Sequence, residues 1–183
     1  MLSTATIFPG LTASSGMCLE HLDLTIRMHD FPGMLPERRK WNSKLESFKD
    51  LHVLFFLDAC SWAYPMYEDP SINRFKDSMN LLDRVLSKAP GSNGDFSITV
   101  VLSRVDLLDS TLKTHASQAK ECFPEFEEGV ADSSWILKTI EELVMKRASS
   151  ITKLNILRFS VLEALDSDSC SLKNFLDSLL SSI

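Results

Sequence analysis

The sequence predicts an α/β fold: a doubly wound, mainly parallel sheet flanked by helices. Three observations lead there. Strand-like and helix-like stretches alternate along the chain, which calls for parallel strands joined by right-handed crossovers. Two short apolar runs, Leu51 to Leu57 and Ile98 to Leu102, are nearly continuous rather than alternating, as in strands covered on both faces. Pro- and Gly-bearing breaks separate these elements at the expected intervals.

In chain order, residues 1–16 are rich in Ser, Thr and Gly without a clear period and read as a flexible N-terminal arm; residues 17–183 read as one domain. From Leu22, apolar Leu22, Leu24, Ile26 and Met28 alternate with Asp23, Thr25, Arg27 and His29, the pattern of a half-buried strand. Pro32, Gly33 and Pro36 end it. Pro36 suits the first turn of a helix, and Trp41, Leu45 and Phe48 give that helix an apolar stripe. The Leu51–Leu57 strand follows. Asp69-Pro70 reads as the start of a longer helix carrying Ile72, Phe75, Met79, Leu82 and Leu86. Pro90 to Gly94 forms a loop before the Ile98 strand. Ile136, Leu137, Ile140, Leu143 and Val144 mark another helix, Leu154 to Phe159 a strand, and Leu172 to Ile183 a closing amphipathic helix.

Composition narrows the function. The 183 residues suit one domain, and the formal charge of −6 argues against a nucleic-acid partner. No apolar run approaches the roughly 20 residues that span a bilayer. No signal segment or myristoylation Gly opens the chain, so a cytoplasmic location is expected. The four cysteines and four histidines are scattered, with no CxxC pair and no readable metal cluster.

Ligands of such a sheet bind at the carboxyl ends of its strands. The segment there, Asp30-Phe31-Pro32-Gly33-Met34-Leu35-Pro36-Glu37-Arg38-Arg39-Lys40-Trp41, resembles the switch II segment of heterotrimeric G-protein alpha subunits, Asp-Val-Gly-Gly-Gln-Arg-x-Glu-Arg-Lys-Lys-Trp. Collinear matches follow. Asp58 onward, through Tyr67-Glu68-Asp69 and Asn73-Arg74, is similar to the family's acidic loop and Asn-Arg helix, and Ser78 to Leu86 to its Ser-Met-x-Leu-Leu-Asp helix. Val100 to Asp106 stands at its Asn-Lys-x-Asp strand and motif, Cys122-Phe123-Pro124-Glu125-Phe126 at its Phe-Pro-Glu-Tyr segment, and Ala164-Leu165-Asp166 at its Thr-Cys-Ala loop. The resemblance runs from about Ser14 to the C-terminus and implies a Ras-like core.

It also implies roles, residue by residue. Asp30 stands where the family holds magnesium through water, and Gly33 where a backbone N–H senses the γ-phosphate. Asp106 takes the place of the guanine-reading Asp, Ser103 that of the bracing Asn, and Arg104 that of the Lys beside the base. Ala164 corresponds to the N–H donor to the guanine O6. Ser14-Ser15-Gly16-Met17 resembles switch I, with Ser14 the hydroxyl for magnesium. Glu37, Arg38, Lys40 and Trp41 match positions that contact G-protein beta/gamma subunits. GTP or GDP and Mg2+ are the cofactors this implies.

The departures are as informative. Met34 replaces the Gln that orients the attacking water, and Leu11 the built-in arginine finger. Pro32 replaces a Gly and removes a backbone donor. No GxxxxGK[ST] phosphate loop occurs; Gly10 to Gly16 has the wrong spacing and no Lys. The expectation is a Ras-like sheet lacking the phosphate-loop strand–helix unit and the all-helical insert, with a central gap that Ala5-Thr6-Ile7-Phe8 fills in part. Ile183 falls short of the family's receptor-contacting tail, so receptor coupling is not expected. Two functions stay open: a GTP-binding signalling protein impaired in hydrolysis, or a nucleotide-independent interaction module binding through switch II. A non-functional gene fragment is the third outcome.

Overall fold

A computed structural model describes residues 3–7, 16–21, 24–48, 50–87, 96–127, 131–151, 153–160 and Asp177. Among the described residues six strands form one sheet: β1 (Ser3–Ile7), β2 (Gly16–His21), β3 (Leu24–Asp30), β4 (Leu51–Asp58), β5 (Phe96–Ser103) and β6 (Leu154–Phe159), in the order β2-β3-β1-β4-β5-β6. Among these strands only β2 runs antiparallel to its neighbour. The mainly parallel α/β expectation therefore holds.

The centre of the sheet requires a correction. Ser3–Ile7, read above as part of an arm, is strand β1 and fills the central slot that Ala5-Thr6-Ile7-Phe8 was expected to fill only in part. It pairs Ser3 to Thr6 with Arg27 to Asp30 on one side and Ser3 to Ile7 with Leu51 to Phe55 on the other. The physical reason is backbone satisfaction: without it β3 and β4 each present a row of unpaired N–H and C=O groups in the middle of the sheet. The strand half of the missing unit is thus supplied. Strand β2, paired from Gly16↔His29 to His21↔Leu24, was not foreseen either.

The helices are α1 (Leu35–Arg38), α2 (Trp41–Leu45), α3 (Arg74–Ser87), α4 (Leu108–Thr114), α5 (Ala116–Cys122) and α6 (Ser133–Arg147). The expected helix after Pro36 is two short ones, split at Arg39-Lys40. Helix α3 begins at Arg74, not at Asp69-Pro70. Asn73 is its cap: the Oδ1 accepts from the N–H of Phe75 at 3.0 Å and of Lys76 at 3.3 Å. The carboxylate of Asp69 is used earlier, in a turn with Ser71. Asp132 caps α6 by accepting from Trp135 N–H at 2.9 Å. Apart from Asp177, itself helical, the expected closing helix lies outside the described residues.

Right-handed crossovers from β3 to β4, β4 to β5 and β5 to β6 place α1–α2, α3 and α6 on the same face. There Leu51, Val53, Phe55 and Leu57 of β4 and Ile98, Val100 and Leu102 of β5 form one core with Trp41, Leu45, Phe75, Met79, Leu82, Ile136, Ile140 and Val144. The opposite face of the same strands is buried too, at His52, Leu54, Thr99 and Val101. That explains the unbroken apolar runs. His52 is accommodated by hydroxyls across the strand pair: Nδ1 lies 2.6 Å from Ser97 Oγ and Nε2 3.1 Å from Thr99 Oγ1. Burial lowers its pKa from 6.5 to about 4, so the ring is neutral. Among the described residues no helix is long and apolar enough to cross a membrane.

Candidate functional site

The carboxyl ends of β3, β4 and β5 bring Asp30, Asp58 and Ser103 to the same edge of the sheet. Two constructions stand there, each organised by an arginine.

The first follows β3. Asp30 is buried and leads into Phe31, 1% exposed. The next two carbonyls are both claimed by side chains from α1 and α2. Trp41 Nε1 donates to Pro32 O at 3.1 Å, and Arg38 Nε donates to Gly33 O at 2.6 Å. The same guanidinium reaches α3, where its Nη1 lies 2.9 Å from Asp77 Oδ1 and 2.8 Å from Oδ2. Arg38 therefore ties the strand-end loop to α3. The Trp41 ring sits edge-on to Phe31, with centroids 6.1 Å apart, and Lys44 Nζ lies 5.4 Å from the Phe31 ring.

This geometry divides the four residues expected to meet a partner. Arg38 and Trp41 are buried and committed to the loop. Glu37 and Lys40 face outward, ion-paired with each other at 2.8 Å. Beside them Met34 and Leu35 are each 41% exposed, apolar side chains left in water at the start of α1. Met34 has an extended backbone, its carbonyl accepts from the N–H groups of Glu37 and Arg38, and its thioether offers no group that orients water.

The second construction joins β4 to β5. Arg104 adopts a left-handed conformation, φ 61° and ψ 31°, unusual for a side chain with a Cβ. Its Nη1 donates to Asp58 Oδ2 at 2.8 Å. The other oxygen of Asp58 accepts from Cys60 N–H at 2.8 Å, and the Asp58 carbonyl accepts from Ser61 Oγ at 2.6 Å. Cys60 Sγ lies 3.4 Å from Arg104 O, and Ala59 N–H donates to Ser103 O at 2.9 Å. Partial burial pulls the Arg104 pKa down, but the Asp58 carboxylate outweighs it and holds the guanidinium above its usual range. Burial pushes the Cys60 thiol up, against a hydrogen bond from Thr111 that lowers it. Cys60 is also fully buried, the setting of a structural cysteine. Asp106 sits half-buried in a 3-10 turn, Val105–Leu107.

Of the residues given nucleotide or metal roles by resemblance, Asp30 and Gly33 lie in the first construction and Ser103, Arg104 and Asp106 in the second. Leu11, Ser14 and Ala164 lie outside the described residues. Among the described residues no group of three His, Cys, Asp or Glu is placed to hold a metal ion. The planar head of Arg104, expected along a base, is engaged by Asp58. Between the last residue of β1 and the first of β2 there are eight residues, 8–15, too few for a phosphate loop and the helix that follows it. Among the described residues no phosphate cradle is built, and no hydrolytic step is derived from them. Asp77 carries no role in the sequence reading and Asp58 only begins the stretch resembling the family's acidic loop; neither is paired there with its arginine, which lies far away along the chain.

The profile of the G-protein alpha subunit family matches residues 11–179. The chain is 30% identical over 139 residues to a guanine nucleotide-binding protein G(s) subunit alpha of Drosophila pseudoobscura pseudoobscura, covering 75% of this chain and 35% of that protein. To the corresponding G(s) subunit alpha of Schistosoma mansoni it is 33% identical over 105 residues, 56% of this chain and 26% of the relative. A guanine nucleotide-binding protein alpha-4 subunit of Caenorhabditis elegans is 26% identical over 134 residues, 72% and 35% respectively. The chain thus spans about a third or less of the length of these relatives.

Proposed function

The chain belongs to the G-protein alpha subunit family, and from that membership we propose that it is an alpha subunit-like signalling protein that works through its switch II surface and is impaired in GTP hydrolysis. One observation carries the reading. Arg38 bridges Gly33 O and Asp77, so switch II is held in one arrangement by the chain's own side chains. Anchored in this way, the outward residues Met34, Leu35, Glu37 and Lys40 form a preorganised apolar patch with a charged rim, the composition of a protein-binding site. The partner class is a G-protein beta/gamma dimer. In this account Arg38 and Trp41 act from beneath, as positioning residues. A cytoplasmic location, with membrane association through such partners, goes with it.

The hydrolytic defect rests on substitution. Met34 has no donor or acceptor suited to orienting water, Leu11 brings no charge to a transition state, and the phosphate cradle is missing. The nucleotide-switch reading keeps one support, the positions of Asp30 and Asp106 at the strand ends. Guanine nucleotide and Mg2+, where bound, would supply charge at Asp30 and a base against Asp106.

Two assays on the purified chain separate these readings. A fluorescent GTP analogue is titrated with magnesium and again with EDTA; a beta/gamma dimer is titrated without nucleotide. The expected result is dimer binding that Leu35→Glu abolishes, with no magnesium-dependent nucleotide signal. Saturable micromolar nucleotide binding, with dimer binding only in its presence, contradicts the proposal and restores the switch.

A further inference from the structure

We propose that Tyr67 is a tyrosine phosphorylation site, presented by the β4–α3 loop to an acid-directed tyrosine kinase. The chain has two tyrosines, and the fold treats them oppositely. Tyr67 is 95% exposed. Tyr64 is half-buried, its ring 5.2 Å from that of His115 and 5.7 Å from the Arg74 guanidinium.

The loop is closed beneath Tyr67. Met66 N–H donates to Ile72 O at 2.8 Å, Ile72 N–H donates to Asp69 O at 3.1 Å, and Pro65 and Asn73 form an isolated bridge. The Asp69 carboxylate accepts from the N–H of Ser71 at 3.0 Å and from its hydroxyl at 2.6 Å. Between these ties, Tyr67 and Glu68 make no hydrogen bond or ion pair among the described residues. The loop thus has a braced base and a free apex, and the apex carries the phenol.

A ring left almost wholly in water forgoes the burial that aromatic side chains ordinarily gain. The phenol is therefore open to a partner outside the fold. The residues directly after it are acidic, Glu68 and Asp69, a charge pattern complementary to a basic substrate groove. Hydrogen bonds from Ser71 hold the Asp69 carboxyl below the usual carboxylate range, so it stays charged.

In the transfer, the phenolic oxygen of Tyr67 attacks the γ-phosphorus of magnesium ATP. Its proton passes to the kinase's catalytic carboxylate, the bond to the β-phosphate oxygen breaks, and ADP leaves. The chain gains one phosphomonoester, close to two negative charges at neutral pH. That charge stands on the loop leading into α3, the helix whose Asp77 holds Arg38.

The test uses the folded full chain, an acid-directed tyrosine kinase and magnesium ATP, with sites mapped by mass spectrometry. The expected product carries one phosphate, on Tyr67. Tyr67→Phe takes none, and Tyr64→Phe is labelled like the parent. Labelling at Tyr64 is slower by at least about tenfold, because that ring reaches a kinase only after local opening. Equal labelling of both tyrosines overturns the proposal. So does a folded chain that stays unlabelled, whether or not a peptide of residues 62–72 is labelled.

Discussion

Two arginine–aspartate pairs organise the carboxyl edge of this sheet, and they match in length but not in setting. Arg38 and Asp77 meet at 2.8 Å with their side chains 11% and 17% exposed; Arg104 and Asp58 also meet at 2.8 Å, but at 43% and 24%. The first pair joins the loop after β3 to α3 and carries a further bond to Gly33 O. The second fixes the turn after β5 at the surface. Distance alone would rank them equal. Burial separates them, because a desolvated charge that loses its partner has no water to replace it, whereas an exposed one does.

The comparison breaks most readily at the other side chain that holds the strand-end loop. Trp41 is 3% exposed and holds Pro32 O. Trp41→Ala is expected to destabilise the chain by about 3–5 kcal/mol, read from chemical denaturation. Removing the cation itself, Arg38→Ala, strands the Asp77 charge and is expected to remove about 3 kcal/mol. Asp77→Leu added to Arg38→Met recovers part of that loss, since two apolar side chains leave no orphaned charge.

Acid probes a third setting, the sheet interior. His52 has a folded pKa of about 4 against an ordinary 6.5. Between those values the unfolded chain binds a proton that the folded chain refuses. Stability therefore falls as pH drops from 6.5 towards 4, by roughly 3 kcal/mol in all, and this group has no effect above that window. In His52→Gln that part of the slope is missing. If parent and variant titrate alike, the hydroxyl-lined site of His52 is not dry.

The smallest effects sharpen the comparison at the exposed pair. Arg104→Ala is expected to change stability by about 1 kcal/mol or less, and the difference shrinks with salt. Arg104→Gly is expected to be more stable than Arg104→Ala by about 1 kcal/mol, because glycine adopts φ 61° freely. A loss at Arg104 as large as that at Arg38 would mean that burial is not what sets the two apart.

The same contrast explains what could be read from the sequence. Strands β4 and β5 were legible because burial on both faces leaves a run of apolar side chains. Strand β1 has the small and polar sequence Ser-Thr-Ala-Thr-Ile, and its place is fixed by backbone pairing to both neighbours, which leaves little trace in side-chain pattern. The start of α3 was misread because Asp69 and Asn73 are both good caps, and only the loop closure at Pro65 and Asn73 decides between them. The site was half legible. Asp30, Gly33, Arg38 and Trp41 lie within one short motif. Asp77 is 39 residues from Arg38, and Asp58 46 residues from Arg104, so these pairs exist only in three dimensions. The left-handed turn at Arg104 had no glycine to announce it.

The most direct measurement is hydrogen–deuterium exchange across residues 30–41, with no nucleotide and again with magnesium and a non-hydrolysable GTP analogue. If Arg38 and Trp41 hold switch II by themselves, the segment is protected without nucleotide and the analogue leaves its exchange unchanged. Rapid exchange that slows when the analogue is added would contradict the account, because nucleotide would then be what orders switch II.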